Sequence, residues 1–324
     1  MGYQNRNYTD TKTYVGEFVC RVTEGLPLRA VPLMTALLLG ILSRAQEKYN
    51  VEIAHFVFME NHYHIIIFGE TKNIDKFFNM LNSLTARLIK FLTGAYPYGK
   101  VWSRRYNSMQ ILTAKDVIDR IIYIYMNPVR AKLVNRIADW KGACSYNWFY
   151  SGTKELLFKF VPLRVCFKKL TAADFEKSDA EQLQQFENLD GEIHRFKLNP
   201  FGWKKFFADY ADKSDDEIWK EIRSRLDELE AQYNKQFEGK FKGMKKVKQR
   251  PLVVDYVPEP HKPAPFLVCS DTLLRIQKIL EHKNLCNQCR EAYKKLKCGI
   301  NARYPKGMFR PSIPLIGRSQ FVAA

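Results

Sequence analysis

Two histidines separated by one residue, His62-Tyr63-His64, sit at the head of the apolar run Ile65-Ile66-Ile67-Phe68. The upstream run Val51 to Phe58 is also rich in β-branched and aromatic residues. Both read as strands, with Glu60-Asn61 as the tight turn between them, since Asn tolerates the positive φ that hairpin turns need. Side chains alternate faces along a strand, so His62 and His64 point one way and Tyr63 the other. Two imidazoles side by side on a rigid strand are two-thirds of a metal site. A third ligand, and whatever the metal would act on, must come from elsewhere in the chain. His55, on the preceding strand, reads as structural.

A second constellation lies downstream, in Tyr123-Ile124-Tyr125-Met126-Asn127-Pro128-Val129-Arg130-Ala131. Tyr123 and Asn127 are i and i+4 and share a helix face. Tyr125 is about 200° around the helix and cannot join them. Pro128 disfavours helical geometry at the residue before it. The helix should therefore end or kink at Asn127, where the amide oxygen can reach out.

The elements that must position these residues follow from hydrophobic period. Thr13 to Thr23 is a strand, and Ala30 to Tyr49 is a helix that Asn50 closes. The hairpin Val51–Phe68 comes next. Asn73 caps a second helix that ends at Gly94 to Gly99. Val101 to Tyr106 is a basic, aromatic loop, and Ser108 to Thr113 is a fourth strand. Thr113-x-x-Asp116 opens the tyrosine helix in a capping-box-like arrangement. The order βαββαβ plus a helix predicts an α+β fold, a ferredoxin-like or RRM-like split βαβ sheet with two helices on one face and the tyrosine helix on the other.

Residues 1–12 read as a lead-in, 13–150 as the unit carrying the chemistry, and 151–324 as a basic, mostly helical C-terminal extension. Asp215 to Phe237 and Ser270 to Cys298 are its clearest helices. Lys240 to Arg250 is a cationic segment. Val257 to Pro265 is a Pro-rich linker, and the tail after Tyr304 is punctuated by Pro and Gly.

Composition narrows the class. The 324 residues carry a net charge of +18, which points to a polyanionic partner, most often nucleic acid. Seven cysteines without regular spacing fit a reducing compartment. No apolar segment approaches the ~20 residues of a membrane span, and the N-terminus lacks a signal-peptide pattern. A cytoplasmic, nucleic-acid-associated protein without a membrane partner is expected.

The two constellations, taken in order, resemble those of the single-tyrosine HUH transposases, most closely the bacterial REP-associated tyrosine transposases related to small insertion-sequence transposases. The resemblance covers roughly residues 13–135. Glu60 stands where that family usually has proline, and Tyr63 where it usually has an aliphatic residue. A lone His-x-His more often packs than binds metal; the Tyr/Asn helix in the matching place reverses that reading. The resemblance implies a DNA strand transferase in which Tyr123 attacks a phosphodiester of single-stranded or hairpin DNA and forms a 5′-phosphotyrosine. It implies a divalent cation, Mg²⁺ or Mn²⁺, on His62, His64 and Asn127. Trp102, Arg104 and Arg105 beside that site, Arg130 and Lys132 after the tyrosine helix, and Lys245, Lys246 and Lys248 in the cationic segment are candidates for DNA contact. A homodimer is left open.

Three alternatives compete. In relaxases the tyrosine precedes the histidines, which this order contradicts. Rolling-circle initiators share the order but usually carry a helicase domain, and no Gly-rich phosphate loop ending in Lys-Ser/Thr occurs here. A domesticated, non-catalytic hairpin-binding protein would not need His62, His64, Tyr123 and Asn127 all intact. His282-x3-Cys286-x2-Cys289, with Cys298 beyond, invites zinc, but those intervals are helical repeats and favour a helix face with free thiols.

Overall fold

The computed structural model describes residues 14–94, 99–250 and 265–305. The expected lead-in at 1–12, nearly all of the Pro-rich linker and most of the C-terminal tail lie outside them. The first elements are β1 (Tyr14–Arg21), α1 (Pro32–Tyr49), β2 (Glu52–Phe58), β3 (His62–Gly69), α2 (Ile74–Thr93), β4 (Asn107–Ile111) and α3 (Ala114–Tyr125). Local chemistry sets their ends. Asn50 takes a left-handed φ of 49° and closes α1 with its N–H on the Gln46 carbonyl. Gly94, at φ 60°, does the same for α2. The Thr113 hydroxyl accepts the Asp116 N–H at 3.2 Å and starts α3. Asn73 holds the N-cap position of α2, but its amide donates to the Tyr49 carbonyl at 3.0 Å and makes no cap bond.

The four strands lie in the order β2-β3-β1-β4, every neighbouring pair antiparallel. Each crossover therefore skips one strand: β1-α1-β2 straddles β3, and β3-α2-β4 straddles β1. The pleat splits the sheet into two cores. Tyr63, Ile65 and Ile67 join Phe18, Phe77 and Phe78 beneath α1 and α2. Ile66 and Phe68 join Val117, Ile118 and Ile121 beneath α3. The histidines share the parity of Ile66, so they face α3.

The β2–β3 turn differs from expectation in one respect. Glu60-Asn61 does link the strands, with the Met59 N–H on the His62 carbonyl at 2.8 Å. Asn61, however, has no positive φ; among the described non-glycine residues only Asn50 and Lys132 do. The turn is held from outside instead. The Glu60 carbonyl accepts the Leu28 N–H and the Asn61 carbonyl the Val22 N–H, both at 2.9 Å.

Beyond α3 come α4 (Asn127–Arg130), α5 (Tyr146–Ser151), β5 (Glu155–Phe160), α6 (Leu163–Lys169), α7 (Asp179–Glu187), β6 (Glu192–Lys197), α8 (Ala208–Ala211), α9 (Asp215–Gln236), α10 (Gly243–Lys248), β7 (Leu267–Val268) and α11 (Thr272–Lys297). The helix break falls at Met126, one residue before the expected one, and Pro128 then sits in the first turn of α4, where its missing N–H costs nothing. The region read as mostly helical also holds strands. β5 and β6 pair antiparallel and send Phe160 and Phe196 into the core under α1. β7 adds a fifth strand to the main sheet, parallel to β4. Ile218, Ile222 and Leu226 of α9, with Trp203, fill the core under α3. No helix among the described residues is long and apolar enough to cross a membrane.

Candidate active site

His62 and His64 stand side by side on the α3 face of β3, ring centroids 5.0 Å apart. His64 is 5% exposed, and its surroundings fix its tautomer. Its Nδ1 lies 2.6 Å from Oε1 of Glu17, which β1 carries wholly buried into the same face. The other oxygen, Oε2, accepts from Arg120 Nε of α3 at 2.5 Å. Burial alone would push the Glu17 carboxyl up, but the His64 hydrogen bond and the Arg120 guanidinium together hold it below the usual range. An ionised carboxylate only accepts, so Nδ1 carries a proton, and in the neutral tautomer the lone pair lies on Nε2. That Nε2 is buried and makes no hydrogen bond. His62 is half-buried, with its Nδ1 2.6 Å from Asn61 Oδ1.

Tyr123 comes down from α3 onto this pair, the edge of one ring meeting the other at 5.8 Å between the His64 and Tyr123 centroids. The Arg120 guanidinium lies over the tyrosine ring at 3.9 Å and that of Arg130 at 4.6 Å. Asn127 donates its amide N–H groups to the carbonyls of Tyr123, at 3.0 Å, and Ile124, at 3.3 Å. Those bonds pin the amide and leave Oδ1 as its acceptor.

Tyr125 lies on the far side of the helix, as its spacing requires. It is fully buried, and its hydroxyl meets His55 Nδ1 at 2.7 Å and Ser145 Oγ at 2.9 Å. Burial raises its phenol well above the ordinary value. His55 gives its other nitrogen to the Pro200 carbonyl at 3.1 Å; a carbonyl only accepts, so Nε2 carries the proton and Nδ1 accepts from Tyr125. Burial drops the His55 pKa to about 3, so the ring is neutral. It is a packed core histidine.

The donor set at His62 and His64 fits a divalent cation. His64 offers an orphaned, buried lone pair backed by a carboxylate, an arrangement typical of ligating histidines. No group of three or more His, Cys, Asp or Glu side chains suited to a metal occurs among the described residues. A cation on the two histidines would complete its shell with other oxygens, such as Oδ1 of Asn127.

The other candidates are scattered. Trp102 packs against the core under α1 and α2, edge-on to Tyr63, and its indole N–H donates to the Asn82 carbonyl at 2.9 Å. It therefore lies on the opposite face of the sheet from the histidines. Arg104 and Arg105 are exposed. Lys132 reaches over the Phe237 ring at 4.5 Å. Lys245 and Lys246 project from α10 and are exposed, whereas Lys248 pairs with Asp179. Arg250 pairs with Glu60 in the β2–β3 turn. His282 and Cys286 lie 3.5 Å apart on α11, with the His282 ring stacked on Phe266.

Glu17 and Arg120 escaped the sequence reading. Both left a signal: Glu17 is a lone carboxylate inside an apolar strand, and Arg120 is one helical turn before Tyr123.

The family model described as "Transposase IS200 like" matches residues 32–125, a span that contains His62, His64 and Tyr123. No curated protein matches the chain. One similar solved structure is a REP-associated tyrosine transposase bound to a REP hairpin, 20% identical, covering 47% of this chain and 86% of that one at a TM-score of 0.38. Another is a putative transposase from Deinococcus radiodurans R1, 17% identical, covering 38% of this chain and 95% of that one at a TM-score of 0.26. Residues 32–125, from α1 to the end of α3, are thus similar to the IS200-like transposase family.

Proposed function

We propose that this chain cleaves and rejoins single-stranded DNA at hairpins through a covalent bond to Tyr123. The observation that carries this reading is the meeting of Tyr123 with His64, whose buried Nε2 has no partner. The phenol oxygen of Tyr123 would attack the scissile phosphorus. The bond from phosphorus to the 3′ oxygen breaks, and that oxygen leaves as a 3′-OH, taking up a proton. The 5′ end is then held as a phosphotyrosine, which keeps the bond energy for a second strand's 3′-OH to reverse the step. His62, His64 and Asn127 would hold a divalent cation, Mg²⁺ or Mn²⁺, which when bound supplies polarisation of the phosphate and offsets charge in the transition state. Arg104, Arg105, Arg130, Lys245 and Lys246 would grip phosphates. In this reading the sheet order is that of a ferredoxin-like domain, residues 13–150 carry the chemistry, and residues 151–324 add DNA contact.

The test is a labelled, hairpin-bearing single strand incubated with the protein and Mn²⁺, then run on a denaturing gel. A protein–DNA band is expected that disappears in Tyr123→Phe and persists in Tyr125→Phe, while Tyr123→Phe still shifts the hairpin on a native gel. A wild-type protein that shifts the hairpin and never forms the band is a binding protein, and the enzymatic reading fails.

A further inference from the structure

Arg120, Tyr123, Asn127 and Arg130 follow one another at intervals of 3, 4 and 3 positions, so they line one side of the tyrosine helix and its continuation. A half-buried tyrosine in this setting could turn about χ1 and carry its hydroxyl away from the histidines. Arg120 blocks that movement, lying 3.9 Å over the ring. Arg120 is itself braced, because its Nε is bound to Glu17 Oε2. Glu17 cannot shift: it is fully buried in a central strand, opposite Ile66 of β3 on one side and Met109 of β4 on the other. The remaining oxygen of the same carboxylate orients His64. We infer that Glu17 and Arg120 are positioning residues for Tyr123, one buried carboxylate setting both the angle of the His64 ring and, through Arg120, the place of the tyrosine ring beside it. This inference rests on the reading of Tyr123 as the nucleophile. Its rival is that Arg120 merely neutralises a buried acid and touches Tyr123 incidentally.

The two are separated by placing 3-fluorotyrosine at position 123 and recording its ¹⁹F resonance in the full-length protein, without DNA or metal. A displaced line is expected in the otherwise unaltered protein. Arg120→Met should move it toward the position of free fluorotyrosine. Glu17→Gln, which removes no atom in contact with Tyr123, should move it the same way, and Arg120→Lys should restore part of the displacement. At saturating hairpin DNA, Arg120→Met should slow formation of the covalent band on the order of 100-fold, the cost of a slightly misplaced reacting group, with hairpin affinity unchanged. A fluorine line that stays put in both Arg120→Met and Glu17→Gln overturns the inference. So does a covalent step of normal rate in a folded Arg120→Met protein. If Glu17→Gln does not fold, Glu17→Asp gives the same readout with the charge kept and the reach shortened. The fluorine measurement needs no cleavage, so a chain that forms no covalent band at all refutes the proposed function while the positioning of Tyr123 is still judged.

Discussion

His64 and His55 show how burial and partners decide what an imidazole can do. Both are almost fully buried, yet His64 keeps an unused lone pair while His55 spends both nitrogens on Tyr125 and Pro200. His64→Ala should therefore abolish Mn²⁺ binding, read by calorimetry or by electron paramagnetic resonance, and with it the nicking activity. Hairpin affinity on a native gel should change little, and chelation by EDTA should reproduce the same split. Loss of folding in both His62→Ala and His64→Ala would make the pair structural. His55 should announce itself through pH. Its folded pKa, about 3, lies below the ordinary value of 6.5, so the unfolded chain binds the extra proton. Its contribution to stability is complete above the unfolded value and is lost as pH falls from there toward 3. Between pH 7 and pH 5 that is about 2 kcal/mol, one factor of 1.36 for each pH unit below the unfolded pKa. Urea unfolding at the two pH values should show that loss in the wild type, and His55→Gln should remove most of the difference.

At the scale of elements, the tyrosine helix is held from both sides. The sheet presents Ile66 and Phe68 beneath it, and α9 lays Ile218, Ile222 and Leu226 into the same core. Arg225 of α9 also pairs with Asp119 of α3 at 2.6 Å. A helix that carries a nucleophile must not slide, and α9 supplies packing that the sheet alone does not. Ile222→Ala should cost roughly 2–5 kcal/mol, the range for emptying a buried aliphatic site, measured as a lower urea midpoint at unchanged slope. A loss below about 1 kcal/mol would mean that α9 packs loosely there. Cutting the chain after Tyr150 should be far more damaging, because Phe160, Phe196 and Trp203 leave two cores at once. The cut chain is expected to lack a cooperative unfolding transition.

The charge of the whole molecule, +18, is unevenly available. Within the cationic segment Lys248 is taken up by Asp179 and Arg250 by Glu60, and Val247 just before them is buried. These pairings dock the segment on the domain, and the Lys242 and Gly243 N–H groups tie it to the carbonyls of Lys132 and Leu133. Lys245 and Lys246 remain exposed on α10. Replacing both with Gln should flatten the dependence of log Kobs on log salt for single-stranded DNA by roughly 1.4, since each phosphate no longer neutralised lowers the slope by about 0.7, without altering the unfolding curve. Lys248→Gln should do the reverse, lowering stability with little change in the salt slope. Equal slopes in all three proteins would remove α10 from the DNA path.

The sequence by itself determined the elements that local chemistry governs and the reactive groups they carry. Period and caps placed β1 to α3 to within a few residues, and strand alternation put His62 and His64 on one face. The spacing of Tyr123 and Tyr125 put the two phenols on different faces of the helix. Each of these depends on residues within a turn or two of one another, where the backbone repeat dictates which side chains meet. The tertiary structure decided the rest. The turn at Glu60-Asn61 is held by Val22 and Leu28 rather than by a positive φ. β5 and β6 pair across the stretch that carries α6 and α7, a long-range contact that no local repeat encodes. Trp102, adjacent to Arg104 and Arg105 in a basic loop, turned into the core on the far face of the sheet. Glu17 and Arg120 are 103 positions apart and look unrelated in the chain. Only the packing of α3 on the sheet brings that carboxylate and guanidinium together, so that Arg120 offsets the buried charge of Glu17 while the other carboxylate oxygen holds His64.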